Sequence, residues 1–255
     1  MRPPAAIADA IGDRRLVAVT DGQSGATVFR AGEDLFLKTG RGRVAGLVAD
    51  EAARLRWSDG RIPVPRVIAA VGEGDRAWLL TSALRGMSAG DHIKADRARA
   101  TAVPGSLAAF LTRLHALPVR DCPFDSSVAS WLPVVRRRVA DGLVDTGDFD
   151  DEHADWSAAR VLARVEELAC HAEGRVVVHG DFSLGNVIVG DDGDIAGCID
   201  VGLLGVGDPY RDIFIGWRDI GGFGSDAQDA FLAALGIDRL AEPRRDLHRA
   251  LDELF

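Results

Sequence analysis

The apolar positions follow two rhythms along the chain. In the N-terminal part they fall in short runs rich in β-branched and aromatic residues, "RLVAVT" and "ATVFRAGEDLFLKTG", broken by the turn chemistry of "DGQSG" and "AGED". These predict strands joined by tight turns. The stretch "LVADEAARLRWSDG" switches to a helical period, with Leu47, Ala52 and Leu55 as its apolar stripe and "SDG" as its stop. "IPVPRVIAAV" and "DRAWLLTSAL" predict two further strands, and the prolines of the first place it at a sheet edge or at a strand's entry. From about Ser88 the helical period dominates. "PGSLAAFLTRLHALP" sets Leu107, Phe110, Leu111 and Leu114 on one face, and "SVASWLPVVRRRVADGLV" and "SAARVLARVEELACH" continue in the same manner. Three short apolar runs then follow in "VVVHGDFSLGNVIVGDDGDIAGCIDVG", with helices from there to the end. The expected fold class is α+β, with a β-rich N-terminal lobe over residues 1–86, a mainly helical C-terminal lobe over 87–255, a hinge at "TSALRGM" and a cleft between the lobes.

The three late runs end in polar residues, Asp181, Asn186 and Asp200. Such groups at strand ends cost desolvation energy unless something pairs with them. Asp181 and Asn186 are five residues apart, and Asp200 opens an Asp-x-Gly with Gly202. The same spacing, Asp-x-x-x-x-Asn followed by Asp-x-Gly, marks the catalytic loop and magnesium site of kinases. In that chemistry one carboxylate accepts a hydroxyl proton, while an amide and a second carboxylate offer oxygen to Mg²⁺. A kinase also needs a lysine on an N-lobe strand and a glutamate on the next helix. Lys38 in "DLFLKTG" and Glu51 in "DEAARL" stand in that order. The loop "DGQSGATVF" places Gly22, Ser24 and Gly25 where backbone N–H groups and a hydroxyl could meet phosphate oxygens. His179 and His115 are assigned structural work, the first in orienting the loop.

Composition narrows the class. At 255 residues, 47% apolar and 27% charged, the chain suits one large domain or two modest lobes. It has no run of about 20 apolar residues, so no membrane partner is expected, and the N-terminus lacks the apolar core of a signal peptide. A cytoplasmic protein is expected. Cys122, Cys170 and Cys198 are odd in number and lack C-x-x-C spacing, which predicts buried free thiols rather than a disulfide frame or a zinc site. The net charge of −9 argues against a nucleic-acid partner. That charge is uneven: residues 1–86 hold 13 basic and 10 acidic residues, the remainder 17 and 29. An acidic C-terminal part concentrates cationic ligands.

With these residues in hand, the chain resembles the aminoglycoside 3′-phosphotransferases nearly end to end. The likeness lies in "GQSGATVFR", "IPVPRV", "LHALPVRDCPFD", "GLVD", "HGDFSLGN", "IDVGLLGVGDPYRDI" and "LDELF". It implies a bilobal protein-kinase-like fold and phosphoryl transfer from ATP, with Mg²⁺, to an aminoglycoside. It puts Asp181 in the catalytic position, Asn186 and Asp200 in the metal positions, Lys38 paired with Glu51, and Ser24 and Gly25 in the nucleotide loop. The family's acidic antibiotic site implies Asp148, Asp150 and Asp151 of "DFDDEH" as partners of substrate ammonium groups. It also implies Arg218 and Asp219 of "GWRDI", Asp252, Glu253, and the α-carboxylate of Phe255. Where the family pattern reads Gly-Arg-Leu-Gly, this chain has Leu203 in place of the arginine. Leucine donates no hydrogen bond, so the resemblance implies the fold and the chemistry with a substrate range of its own.

The resulting reading is an ATP-dependent kinase of an aminoglycoside hydroxyl, the 3′-OH on the resemblance, that confers antibiotic resistance and works as a monomer or weak dimer. Two alternatives stand beside it: a kinase of another small amine or sugar on the same fold, and a catalytically inactive ligand-binding pseudokinase.

Overall fold

The computed structural model describes residues 3–19 and 25–255. In chain order the first elements are α1 (Ala5–Ile11), β1 (Leu16–Val19), β2 (Thr27–Ala31), β3 (Leu35–Arg41), α2 (Arg43–Ser58), β4 (Val67–Glu73), β5 (Arg76–Ser82), β6 (Met87–Ser88) and α3 (Ala89–Ala95). Then come α4 (Val103–His115), α5 (Val128–Ala140), α6 (Ala158–Leu168), β7 (Val176–Val178), β8 (Val187–Val189), β9 (Ile195–Cys198) and β10 (Gly205–Gly207), and last α7 (Tyr210–Gly221), α8 (Ser225–Ala234) and α9 (Glu242–Asp252). The fold is α+β. It divides into two compact units, one of Met1–His92 with Gly185–Leu203, the other of Ile93–Leu184 with Leu204–Phe255.

The first unit is built on an antiparallel sheet ordered β1-β2-β3-β5-β4. Strand alternation sends Leu35 and Leu37 of β3 to one face, where they join Ile7 and Ile11 of α1, Trp78 and Leu80 in a buried core. Lys38, next along the strand, points to the opposite face and reaches α2. Burying the α1 side chains against that sheet contributes about 1.5–3 kcal/mol for each large residue. β4, preceded by Pro63 and Pro65, is an edge strand with a register shift between Val67 and Ala69. The buried stripe of α2 is Val48, Glu51, Ala52, Leu55 and Ser58. Leu47 is not part of it and is 45% exposed. With 3.6 residues per turn, 48, 52 and 55 share a face and 47 falls to its side.

The hairpin of β8 and β9 also belongs to the first unit, with β6 on its outer side. Gly86 enters β6 at φ +126, and a Cβ there would lie 2.0 Å from the Val189 carbonyl oxygen, so only glycine fits. The three late apolar runs therefore do not form one sheet. β7 pairs instead with β10 in the second unit.

The second unit is mainly helical. α4 starts with Pro104 in its first turn and buries Leu107, Phe110, Leu111 and Leu114. α5 and α6 are capped by Ser127 and Ser157, whose side chains accept from the N–H groups of Ser130 and Arg160. The cysteines are free, but Cys198 alone is buried; Cys122 is half-buried and Cys170 exposed. Cys170 ends up in solvent because it lies in a short helical turn beyond the buried face of α6. Among the described residues, no helix is long and apolar enough to cross a membrane.

Candidate active site

In the first unit, Lys38 stands between two carboxylates. Its Nζ is 2.8 Å from Glu51 Oε2 and 2.5 Å from Asp200 Oδ1. The three come from β3, α2 and the end of β9. Hairpin pairing carries the last one into place: Val187 lies opposite Cys198, and the Ile199 N–H donates to the Asn186 carbonyl at 2.9 Å. Asn186 and Asp200 thus sit at the same end of one hairpin. Asp200 has φ 55, which makes it the one non-glycine residue with positive φ among the described residues. A backbone held in that sparsely populated region is typical of functional sites. Burial disfavours the Lys38 ammonium, but the Glu51 and Asp200 charges more than offset it and hold the group firmly protonated. Burial pushes the Glu51 carboxyl up, opposed by Lys38 and reinforced by Asp200. Two carboxylates share one ammonium here, and Asp200, with its side chain half exposed, leaves negative charge facing solvent.

The nucleotide loop expected at Gly22–Gly25 is described only at Gly25, which has φ +70. Ser24 lies outside the described residues.

In the second unit, the Asp181 loop is pinned through its backbone. The His179 and Gly180 N–H groups each donate to a different oxygen of Asp212 at 2.8 Å. The Asp181 N–H donates to His179 Nδ1 at 3.2 Å. Asp212 is fully buried, with His115 Nε2 3.0 Å away. Burial alone would raise its carboxyl; the His115 hydrogen bond and the His179 contacts overcome this and hold it below the usual carboxylate range. His115 and His179 thus do structural work, through a buried acid that the sequence reading did not single out. The loop ends with Leu184, whose N–H donates to Asp219 Oδ2 at 3.1 Å, and the chain passes to the first unit at Gly185.

The residues of "DFDDEH" and the C-terminal turn meet in the same unit. Asp150 Oδ1 accepts from the N–H groups of Glu152 and His153, and the Asp150 N–H donates to Glu253 Oε1 at 3.0 Å. This is a side-chain-capped turn, not a helix start: α6 begins later, behind its own Ser157 cap. His153 Nδ1 lies 3.2 Å from Glu253 and 3.4 Å from Asp150, and ligand-type atoms of the three fall within 4.8 Å of one another. Burial pushes the Glu253 carboxyl up. Arg249 contacts Asp150 at 3.4 Å and pairs with Glu152.

Asp148 and Asp151 are exposed. Arg218 binds Asp219 at 3.1 Å and pairs with Asp252. Burial would raise Asp252, but Arg211 and Arg218 hold it low. The Phe255 carbonyl oxygen accepts from Arg138, and its ring packs edge-on against Trp131 at 5.6 Å. Sequence reasoning missed Arg211, Arg249, Arg138 and His153. It also missed Asp208, which Arg244 and His248 flank. The one available signal was two acids, Asp208 and Asp212, in four-residue spacing at the start of a helix just after an apolar run.

The sequence profile of the phosphotransferase enzyme family matches residues 15–252. The chain belongs to that family. An aminoglycoside 3′-phosphotransferase of Escherichia coli is 41% identical over 244 residues, covering 92% of this chain and 88% of the relative. Another from Streptomyces fradiae is 34% identical over 255 residues, covering 93% and 94%. Among solved members of the family, an aminoglycoside-3′-phosphotransferase of type VIII superposes with a TM-score of 0.87 at 34% identity, over 98% of this chain and 97% of the other. The aminoglycoside phosphotransferase APH(3″)-Id of Streptomyces rimosus, in complex with ADP and streptomycin, gives 0.83 at 28% identity over 98% and 96%.

Proposed function

We propose that this chain transfers the γ-phosphoryl group of ATP to an aminoglycoside, at the 3′-hydroxyl, and thereby confers resistance to the antibiotic. The observation that carries the chemistry is Lys38 held between Glu51 and Asp200. The substrate class is supported by relatives of 39% and 41% identity that are aminoglycoside 3′-phosphotransferases. An acidic second unit suits a polycation.

Lys38, fixed by Glu51, meets the α- and β-phosphates of the nucleotide, and Ser24 and Gly25 are assigned to the nucleotide as well. Asn186 and Asp200 offer an amide and a carboxylate oxygen, the donor chemistry that suits a hard cation, and the unbalanced charge around Lys38 leaves Asp200 able to accept one. Mg²⁺ held there would neutralise phosphate charge. Asp181 orients the acceptor hydroxyl and takes its proton late, as the oxygen bonds to the γ-phosphorus and the bond to ADP breaks. Positioning and electrostatics supply most of the acceleration. Asp148, Asp150, Asp151, Asp252 and Glu253 hold substrate ammonium groups. Arg218 and Asp219 position the nearest of them.

The product carries about −1.5 to −2 charges that the drug lacked, which weakens its attraction to anionic RNA. The activity belongs in the cytoplasm, where ATP and ribosomes are. Nuclear magnetic resonance of the product formed from kanamycin and ATP tests the assignment: a phosphate ester at the 3′ carbon is expected, and an ester elsewhere overturns the regiochemistry.

A further inference from the structure

Arg211 is the second residue of α7 and is 2% exposed. A guanidinium is seldom buried to that extent unless each face and edge has a partner. Here Nε donates to the Gly180 carbonyl oxygen at 2.8 Å, and a terminal nitrogen lies 2.7 Å from Asp252 Oδ1. The other terminal nitrogen reaches the His248 carbonyl at 3.5 Å. The rings of Trp131 and Phe255 lie 5.5 and 5.7 Å from the guanidinium carbon.

The Gly180 carbonyl matters because it belongs to the peptide unit that precedes Asp181. That unit is planar and rigid. Arg211 holds its oxygen, and His179 Nδ1 accepts from its N–H, the N–H of Asp181. Both ends of the plane are therefore tied, and the direction in which the chain presents Asp181 follows from them. Gly180, at φ +86, adopts the left-handed backbone that this geometry needs. The far end of the same guanidinium is tied to Asp252, which also pairs with Arg218.

The geometry points to Arg211 as a positioning residue that couples the side-chain carboxylate of Asp252, the last residue of α9, to the Asp181 loop. In part this rests on the reading above, in which Asp252 meets a substrate ammonium group. A cation arriving at Asp252 then bears on the charge that steadies Arg211, and through it on the peptide carrying Asp181. Such coupling is reciprocal: the state of the loop feeds back on binding at Asp252. A lysine at this position could reach one of the two partners but lacks the planar fork that spans both.

The test uses the full chain as Arg211→Lys, Asp252→Asn and the double variant, with activity normalised to folded protein. Arg211→Lys is expected to lower kcat by about 10- to 100-fold while leaving the KM for ATP unchanged. Asp252→Asn should lower kcat as well as raise the KM for the aminoglycoside. The double variant should lose no more kcat than Arg211→Lys alone, because the two act in series. In a readout that needs no aminoglycoside, hydrogen exchange at the Asp181 amide should accelerate in both single variants. Unchanged exchange at that amide in both, or kcat losses that multiply in the double variant, would overturn the coupling. Failure of the wild type to phosphorylate any aminoglycoside would instead overturn the substrate reading, and the exchange experiment would still decide the role of Arg211.

Discussion

Lys38 and Glu51 form a nearly buried ion pair, Nζ to Oε2 at 2.8 Å, that ties the central strand β3 to helix α2. Asp200 shares the same ammonium from the end of the β8–β9 hairpin. A charge-assisted hydrogen bond of this kind contributes about 1.5–3 kcal/mol. Replacing Glu51 by Gln should therefore lower kcat/KM for ATP by about 10- to 100-fold, and Lys38→Ala should do at least as much. Steady-state kinetics with ATP varied will check this. An unchanged kcat/KM in Lys38→Ala would remove the lysine from the nucleotide site.

Asp181 has a different task, and its loss should look different. Asp181→Ala removes the proposed proton acceptor but leaves Lys38, Glu51 and Asp200 in place. The expected loss in kcat is about 10²- to 10⁴-fold, with ATP affinity by calorimetry nearly that of the wild type. Equal losses in turnover and nucleotide binding would contradict the role given to Asp181.

Asn186 and Asp200 are placed together by hairpin pairing. Chelating divalent ions should abolish turnover, and restoring Mg²⁺ should recover it. Asn186→Ala should shift the half-saturating Mg²⁺ concentration upward by about tenfold or more. A Mg²⁺ titration curve superposable on that of the wild type would show that the amide holds no metal.

Acid should weaken the second unit through His248. Burial pushes this imidazole below its ordinary 6.5, even with Asp208 3.2 Å away. The unfolded chain thus takes up a proton near pH 6.5 that the folded chain refuses until the pH is lower. Stability from this residue is complete above that value and is lost as pH falls from it through the folded pKa. Within that window the loss is about 1.4 kcal/mol per pH unit, worth several degrees in Tm. Melting curves from pH 8 to pH 5 should show the decline, and His248→Gln should flatten it. A slope identical in the variant would assign the acid sensitivity to another group.

Much of this was legible in the chain. Alternation and turn residues yield the antiparallel sheet, prolines narrow β4 to an edge or a strand's entry, and the helical period locates α4, α5 and α6. Lys38 and Glu51 could be picked out because both stand in a fixed order relative to strands and a helix. What escaped was of another kind. Leu47 was misjudged because an apolar residue beside a stripe reads like one within it, and only packing separates Leu47 from Val48. Arg211 escaped because a lone arginine is ordinarily a surface charge, and its partners Gly180 and Asp252 are remote in sequence. Asp208 with Arg244 and His248 was hidden for the same reason. How the acids of "DFDDEH" are used was equally hidden: Asp150 caps a turn, Glu152 pairs with Arg249, His153 is buried against Glu253, and Asp148 and Asp151 face solvent.

The central claim is phosphoryl transfer to an aminoglycoside, and ATP consumption by the purified protein with Mg²⁺, with and without kanamycin, tests it most directly. The account predicts turnover that depends on the antibiotic and vanishes in Asp181→Ala. ATP consumption that kanamycin and other aminoglycosides fail to stimulate would contradict it.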